Sequence, residues 1–278
     1  MPVNDELGKR MKEFYEQVPK YRLMRRTPVA IRIDGKAFHT FTRGFQKPFD
    51  EVLIKSMQNT MKYLCENIQG CVLGYTQSDE ITLILVDYKK LNSSAWFDYE
   101  LQKMCSIAAS MATMAFNKFF SEEIRKFDEK HKFSCMAIFN NPENEITRLH
   151  DTYWEAYYKG AMFDARCFNI PKKEVTNLLY WRQVDAARNS VQMAARAKFS
   201  HNECDNKNQS QLQEMLFQTY GINWNDYPTH MKRGSCCIKT LYLNEDCQIR
   251  SRWKIDEEIP MFKGEGREYV EQLIQPEE

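Results

Sequence analysis

The sequence predicts an α+β fold, a ferredoxin-like βαββαβ sheet followed by a helical and β-hairpin C-terminal part. Three observations carry this reading. Four short runs, "VAIRID", "CVLGYTQ", "ITLILVDY" and "MFDARCFNI", have the length and composition of strands. Two stretches of helical periodicity fall between them, one after the first run and one after the third. Only the short connector Ser78-Asp79-Glu80 separates the second run from the third, which predicts a hairpin.

The elements follow in order. Residues 5–17 read as a short amphipathic helix capped by Asn4 or Asp5. "VAIRID" alternates apolar and basic residues and reads as the first strand. "FDEVLIKSMQNTMKYLCENI" repeats apolar positions at Val52, Met57, Met61 and Leu64, a helical spacing. After the hairpin, residues 98–119 form the clearest helix, with Leu101, Met104, Cys105, Ala108, Ala112, Ala115, Phe116 and Phe119 on one face. Lys103, Ser106, Ser110, Thr113 and Asn117 form a separate polar stripe. Residues 121–160 read as irregular and charged. "MFDARCFNI" closes the βαββαβ order. A helix is predicted from 172 to about 200, then the polar tract "HNECDNKNQSQ", a helix near 209–218, and a late hairpin from "SCCIKTLYL" and "CQIRSRWKI". The acidic tail after Lys263 is expected to be mobile. Residues 1–170 are read as the catalytic region and 171–278 as a part packed on it, the two forming one integrated domain.

Composition narrows the function classes. The 278 residues are 43% hydrophobic and 28% charged, and the formal net charge is only +1, so nucleic-acid binding must come from local basic patches. The nine cysteines are scattered, with no CxxC pair, and are read as reduced thiols in a cytoplasmic protein. No apolar run reaches the roughly 20 residues of a membrane helix, and the polar N-terminus does not resemble a secretory signal.

The acids point to chemistry. Asp34 ends the first strand, and Asp79 and Glu80 sit at the hairpin turn. In a βαββαβ sheet these strands are neighbours, so the carboxylates converge. Converging carboxylates repel unless a cation lies between them. Oxygen donors without His or Cys favour magnesium, which takes the rest of its shell from waters and phosphates. Gly35 lets the backbone approach a metal or phosphate closely. Two aspartates bridging two metals serve phosphoryl and nucleotidyl transfer. Asp-Gly and Ser-Asp-Glu are also ordinary turn sequences, and that alternative stands at this point.

The blocks "RIDGKAFHTF", "KPFD", "GYTQSDEITL", "FDARCF" and "YWRQVDAARNS", in that order, resemble the tRNA-histidine guanylyltransferase family, and "GINWNDYPTHMKRG" resembles its C-terminal half. The resemblance spans roughly residues 5–255. It implies a polymerase-type palm that adds nucleotides in the 3′-to-5′ direction, with two Mg2+ ions and with ATP, GTP or other NTPs as substrates. It further implies tRNA or tRNA-like RNA as partner and assembly as a homotetramer. Asp34 and Asp79 match the metal-binding aspartates, and Gly35 the glycine whose carbonyl helps hold a metal. Ser78 and Glu80 match positions important for activity. Lys47 and Lys103 match triphosphate-contacting lysines. Lys36, Phe38 and His39 follow the metal loop and count as nucleotide-site candidates, although Phe38 also suits a core and a lone histidine is often structural.

One departure bears on specificity. Where the family carries His-Ile-Asn-Asn-Leu-Tyr after "WRQ-x-D", this chain reads "ARNSVQ", and Asn189 alone survives. Ala187 replaces the histidine tied to recognition of histidine tRNA. The resemblance therefore favours the guanylyltransferase-like branch, which repairs truncated tRNA 5′ ends against a template, over a dedicated guanylyltransferase. Asp185, Asn189, Gln192 and Arg196 form a polar stripe that faces either substrate or solvent. Lys9, Arg10, Lys12, Lys20, Arg22, Arg25 and Arg26, with Tyr15 and Tyr21 among them, form a candidate RNA surface, and Lys232, Arg233, Arg250 and Arg252 add to it. A nucleotide cyclase or other palm nucleotidyltransferase would share the acids without needing an RNA end. A noncatalytic RNA-binding module would not need the acids.

Overall fold

The computed structural model describes residues 5–131, 144–244, 246 and 248–275. The strands are β1 (Val29–Gly35), β2 (Cys71–Gln77), β3 (Glu80–Leu85), β4 (Phe163–Asn169), β5 (Ser235–Leu243) and β6 (Ile249–Asp256). The helices are α1 (Glu6–Met11), α2 (Phe38–Phe41), α3 (Glu51–Asn67), α4 (Leu101–Lys130), α5 (Glu145–Lys159), α6 (Lys172–Arg196), α7 (His201–Cys204), α8 (Gln209–Tyr220), α9 (Thr229–Arg233) and α10 (Glu268–Glu271). All six strands join one sheet in the order β4-β1-β3-β2-β5-β6, and every pair is antiparallel. The first four give the strand order of a ferredoxin-like sheet, and the C-terminal hairpin extends it past β2.

Strand alternation divides the core in two. Ile31 and Ile33 of β1 and Ile81, Leu83 and Leu85 of β3 bury one face against α3, α4 and α5. Ala30, Leu73, Tyr75 and Ile84 bury the other against Val175 and Leu179 of α6 and against Phe262, Val270 and Ile274 near the C-terminus. The tail after Lys263 is thus packed down to Ile274, which corrects the expectation of mobility. Its few apolar residues all reach the sheet, and the acidic ones between them face outward.

The segment expected to be irregular is mostly helical. Helix α4 runs to Lys130, well past residue 119, because Phe120, Ile124 and Phe127 continue its apolar face through a charged sequence. Helix α5 follows the same logic with Leu149, Tyr153 and Ala156, and Asn144 caps it by accepting a hydrogen bond from Ile146 N (3.0 Å). Residues 132–143 of that segment lie outside the described residues. Helix α4 starts at Leu101 rather than 98, since Phe97, Asp98 and Tyr99 have positive φ. At the N-terminus Asp5 caps α1 by accepting from Gly8 N (2.8 Å), and residues Lys12–Glu16 continue as π-helix; the alternative cap Asn4 lies outside the described residues. The seven described cysteines are free thiols, and no described helix is long and apolar enough to cross a membrane.

Candidate active site

Register brings the acids together. Asp34 lies opposite Glu80 on β3 and opposite Asp164 on β4, and Gly35 N donates to Asp79 O across 3.1 Å. Burial is the largest influence holding the Asp34 carboxyl above its ordinary value, and the charges of Asp79, Glu80 and Asp164 push it the same way. Burial also raises Asp79, opposed by Ser78 Oγ, which donates to Asp79 Oδ1 (2.9 Å). Among the described residues neither aspartate has a salt-bridge partner. Ser78 takes φ 49 to close the two-residue turn, a conformation that disfavours an L-residue and that accumulates at functional sites.

The segment after β1 walls a cavity. A Cβ at Gly35 would lie 2.2 Å from the Phe38 ring, so glycine is required there. Phe38 is 4% exposed and packs on Phe41, Phe163 and Phe116 at ring separations of 5.0, 5.1 and 5.5 Å. It is core, and its edge still lines a cavity of about 540 Å³ together with Gly35, His39, Lys47, Ser78 and Asp79, closed on the far side by Met193 and Arg196 of α6. Lys36 is exposed and lies outside that lining; its backbone N–H donates to Met162 O (2.9 Å). In "KPFD", Asp50 caps α3 by accepting from Leu53 N (2.8 Å), and it also accepts from Tyr153 Oη (2.6 Å), which fixes the approach of Lys47 to the cavity.

The polar stripe of α6 faces the hairpin tip. Asp185, Arg188, Asn189, Gln192 and Arg196 line an adjoining cavity of about 560 Å³ with Ser78. Asn189 therefore stands beside the acidic turn.

Lys103 does not join this group within the chain. It sits on the Phe97 ring (4.7 Å) near the start of α4, where Leu23 N donates to Tyr99 O (3.0 Å). Neighbouring Met24 is bonded to Asn169, the partner of Val29 at the opposite end of β1 from Asp34. The part of the α4 polar stripe that reaches the acidic end is Thr113, which accepts from Phe163 N (3.2 Å), and Asn117, which exchanges two hydrogen bonds with Ala161 (both 2.9 Å). At 1.5 Å per residue, ten residues of helix separate Lys103 from Thr113 by about 15 Å. Part of the N-terminal basic cluster is also committed elsewhere: Arg25 pairs with Asp87 (2.6 Å) and Arg22 with Asp98 (3.0 Å).

Sequence reasoning missed what surrounds Glu80. Its buried carboxylate accepts from Arg182 Nε and Nη2 (2.7 and 2.6 Å) and from Arg32 Nε and Nη2 (3.2 and 3.1 Å). Glu80 is thus neutralised and unavailable as a metal ligand; it ties the turn to α6. Asp164 was missed as well, although the quoted block "FDARCF" contains it. No described group of three or more His, Cys, Asp or Glu is arranged to hold a metal. What the site offers a cation is a pair of carboxylates, a hard oxygen set suited to Mg2+.

A palm sheet that brings two carboxylates without salt-bridge partners together beside a cavity edged by a lysine is the frame of nucleotidyl transfer, and the protein is a nucleotidyltransferase of the α+β palm class. Residues 8–171 match the tRNAHis guanylyltransferase family. A bacterial tRNA(His) guanylyltransferase-like protein solved in complex with ATP is 39% identical, with a TM-score of 0.77 over 97% of this chain and 99% of that one. A GTP complex of such a protein gives 38% and 0.74 with the same coverage. The tRNA(His) guanylyltransferase of Saccharomyces cerevisiae is 27% identical over 80% of this chain and 87% of its own length, and that of Schizosaccharomyces pombe 26% over 82% and 81%. The chain belongs to the tRNA(His) guanylyltransferase family.

Proposed function

We propose that this enzyme repairs the 5′ ends of tRNA or tRNA-like RNA by template-dependent 3′-to-5′ addition of nucleotides from NTPs. The observation that carries the reading is the register-enforced convergence of Asp34 and Asp79 beside the Lys47 cavity. Bound between Asp34, Asp79 and the Gly35 carbonyl, two Mg2+ ions would neutralise the phosphates and polarise the reacting phosphorus. Lys47 meets the triphosphate in the cavity, and His39 stands beside it. Ser78 orients the Asp79 carboxylate through its hydrogen bond, and Glu80 acts as a positioning residue by holding the turn to α6. Arg188 gives RNA phosphates a cationic approach to the turn, and Arg196 faces the nucleotide cavity.

The chemistry balances in two steps. A 5′-monophosphate oxygen of the RNA attacks the α-phosphorus of ATP and expels pyrophosphate, leaving an adenylylated 5′ end. The 3′-hydroxyl of the incoming NTP then attacks the RNA 5′-phosphorus and expels AMP. A 5′-triphosphorylated RNA enters at the second step and loses pyrophosphate. Base choice comes from pairing with the opposing strand of the acceptor stem, which Ala187 in place of the family's histidine leaves free of a dedicated histidine-tRNA reader.

The test is nucleotide addition to a 5′-truncated tRNA, with full-length tRNA and histidine tRNA as controls. Changing the opposing base from C to A is expected to switch incorporation from G to U. Addition of G only, and only to histidine tRNA, would restore the dedicated guanylyltransferase.

A further inference from the structure

We infer that Trp181 is a stacking platform for the 5′-terminal base of the RNA, an inference that rests on the RNA-end reading above. The residue is unusual for a large aromatic, since it lies 54% exposed on α6. Its ring is nevertheless fixed. The Arg182 guanidinium lies 4.6 Å and that of Arg32 5.6 Å from the ring centroid. Both arginines also bond the single Glu80 carboxylate, and the ring's exposure leaves it accessible to a base. An exposed aromatic flanked by cations that are themselves anchored binds a base at little entropic cost.

Its position assigns the base to the RNA. Arg32 and Asp34 project from the same face of β1, two residues or about 7 Å apart. The Arg32 that flanks the platform therefore stands one strand repeat from Asp34. The nucleotide cavity lies on the other side of the reacting carboxylates, beyond Gly35, and the α6 residues that wall it are Met193 and Arg196, more than three turns after Trp181. A transfer between two substrates needs one on each side of the acidic pair. With the triphosphate at Lys47, the side left for the accepting 5′ end is that of Trp181. Arg166, directly opposite Arg32, is exposed and lies 3.3 Å from Asp164, and it adds a cation for the adjoining phosphate.

The probe is a 5′-truncated tRNA carrying 2-aminopurine as its 5′-terminal base, added without NTP. Stacking quenches the fluorophore, and quenching is expected with wild type and with Trp181→Phe but not with Trp181→Leu. In turnover, Trp181→Leu should raise KM for the RNA about tenfold or more and leave KM for the NTP within about twofold, with Trp181→Phe recovering most of the loss. Equal quenching by Trp181→Leu, or a KM effect confined to the NTP, overturns the assignment. So does a change in oligomeric size in place of the RNA effect, which would make the ring a protein interface. Quenching needs no chemistry, so a wild type that quenches yet adds no nucleotide refutes the repair reading and not the platform. A wild type that adds nucleotides without quenching refutes the platform alone.

Discussion

Asp79 precedes Glu80 and Asp34 lies opposite it across β1 and β3, yet the fold treats Glu80 and the two aspartates in opposite ways. Glu80 is 5% exposed and has two guanidiniums on its carboxylate. Among the described residues Asp34 and Asp79 have no salt bridge, and although the charge of Arg166 draws Asp34 down, both are pushed toward the protonated form. A chain with the arginines to neutralise one acid has left its neighbours without a salt bridge. The difference separates an acid that supports the structure from acids kept for an external charge, and it predicts how each fails.

The comparison breaks most sharply at the unpaired acids. Asp34→Ala and Asp79→Ala are each expected to lower nucleotide addition by about a thousandfold or more with the circular dichroism spectrum unchanged. Near-normal turnover in either variant at ordinary magnesium would sink the site.

At the paired acid the loss should be of stability. Arg182→Met strands a buried carboxylate on Arg32 alone, and breaking such a pair costs about 3–5 kcal/mol, or roughly 10 °C in Tm for a chain of this size. Adding Glu80→Gln to Arg182→Met should recover part of that loss. A double variant as unstable as the sum of the singles would mean that the two side chains are not coupled.

Neither the pair nor its consequence could be read from the sequence, because 102 residues separate Arg182 from Glu80 and no local pattern joins them. Three of the four inner strands were legible, since "VAIRID", "CVLGYTQ" and "ITLILVDY" bury nearly every residue and show it in composition. So was the place of Asp34 and Asp79, which follows from strand order alone. Helix α5 and the end of α4 were not legible, because one buried residue in every three or four is lost among charges. The position of Lys103 was not legible either. Its helix and its polar stripe were identified, but which end of the stripe meets the acids depends on the direction in which α4 crosses the sheet.

Magnesium sharpens the comparison in solution. A carboxylate raised in the folded state stabilises while protonated and loses that contribution as pH rises through its raised value. Without metal, stability should therefore fall with pH above the ordinary aspartate value of 3.8. Mg2+ should reverse this in wild type, by about 5–10 °C in Tm at ~100 times its Kd, and should do little for Asp34→Asn. Melting curves across pH with chelator and with Mg2+ provide the check; an equal magnesium response in both proteins would place the ion elsewhere.

The smallest effect is expected at Lys47, which is exposed at the cavity rim. Lys47→Ala should raise KM for the NTP about tenfold, the scale of one charge-assisted hydrogen bond, and leave RNA affinity unchanged in a filter-binding titration. Weaker RNA binding with unaltered nucleotide kinetics would move Lys47 to the RNA surface.

Strand β2 is shared: one edge pairs with the hairpin strand that carries Glu80, the other with β5. A gene shortened to the stretch 8–171 would therefore not encode a minimal enzyme. Its product would present an unpaired strand edge, prone to sticking to other chains, and would lack the arginine that silences Glu80. Shuffling this catalytic half onto a foreign C-terminal half would meet the same obstacle unless the new partner supplied both a strand for β2 and a buried cation for the turn. Inheritance of the two halves is tied by one strand and one guanidinium.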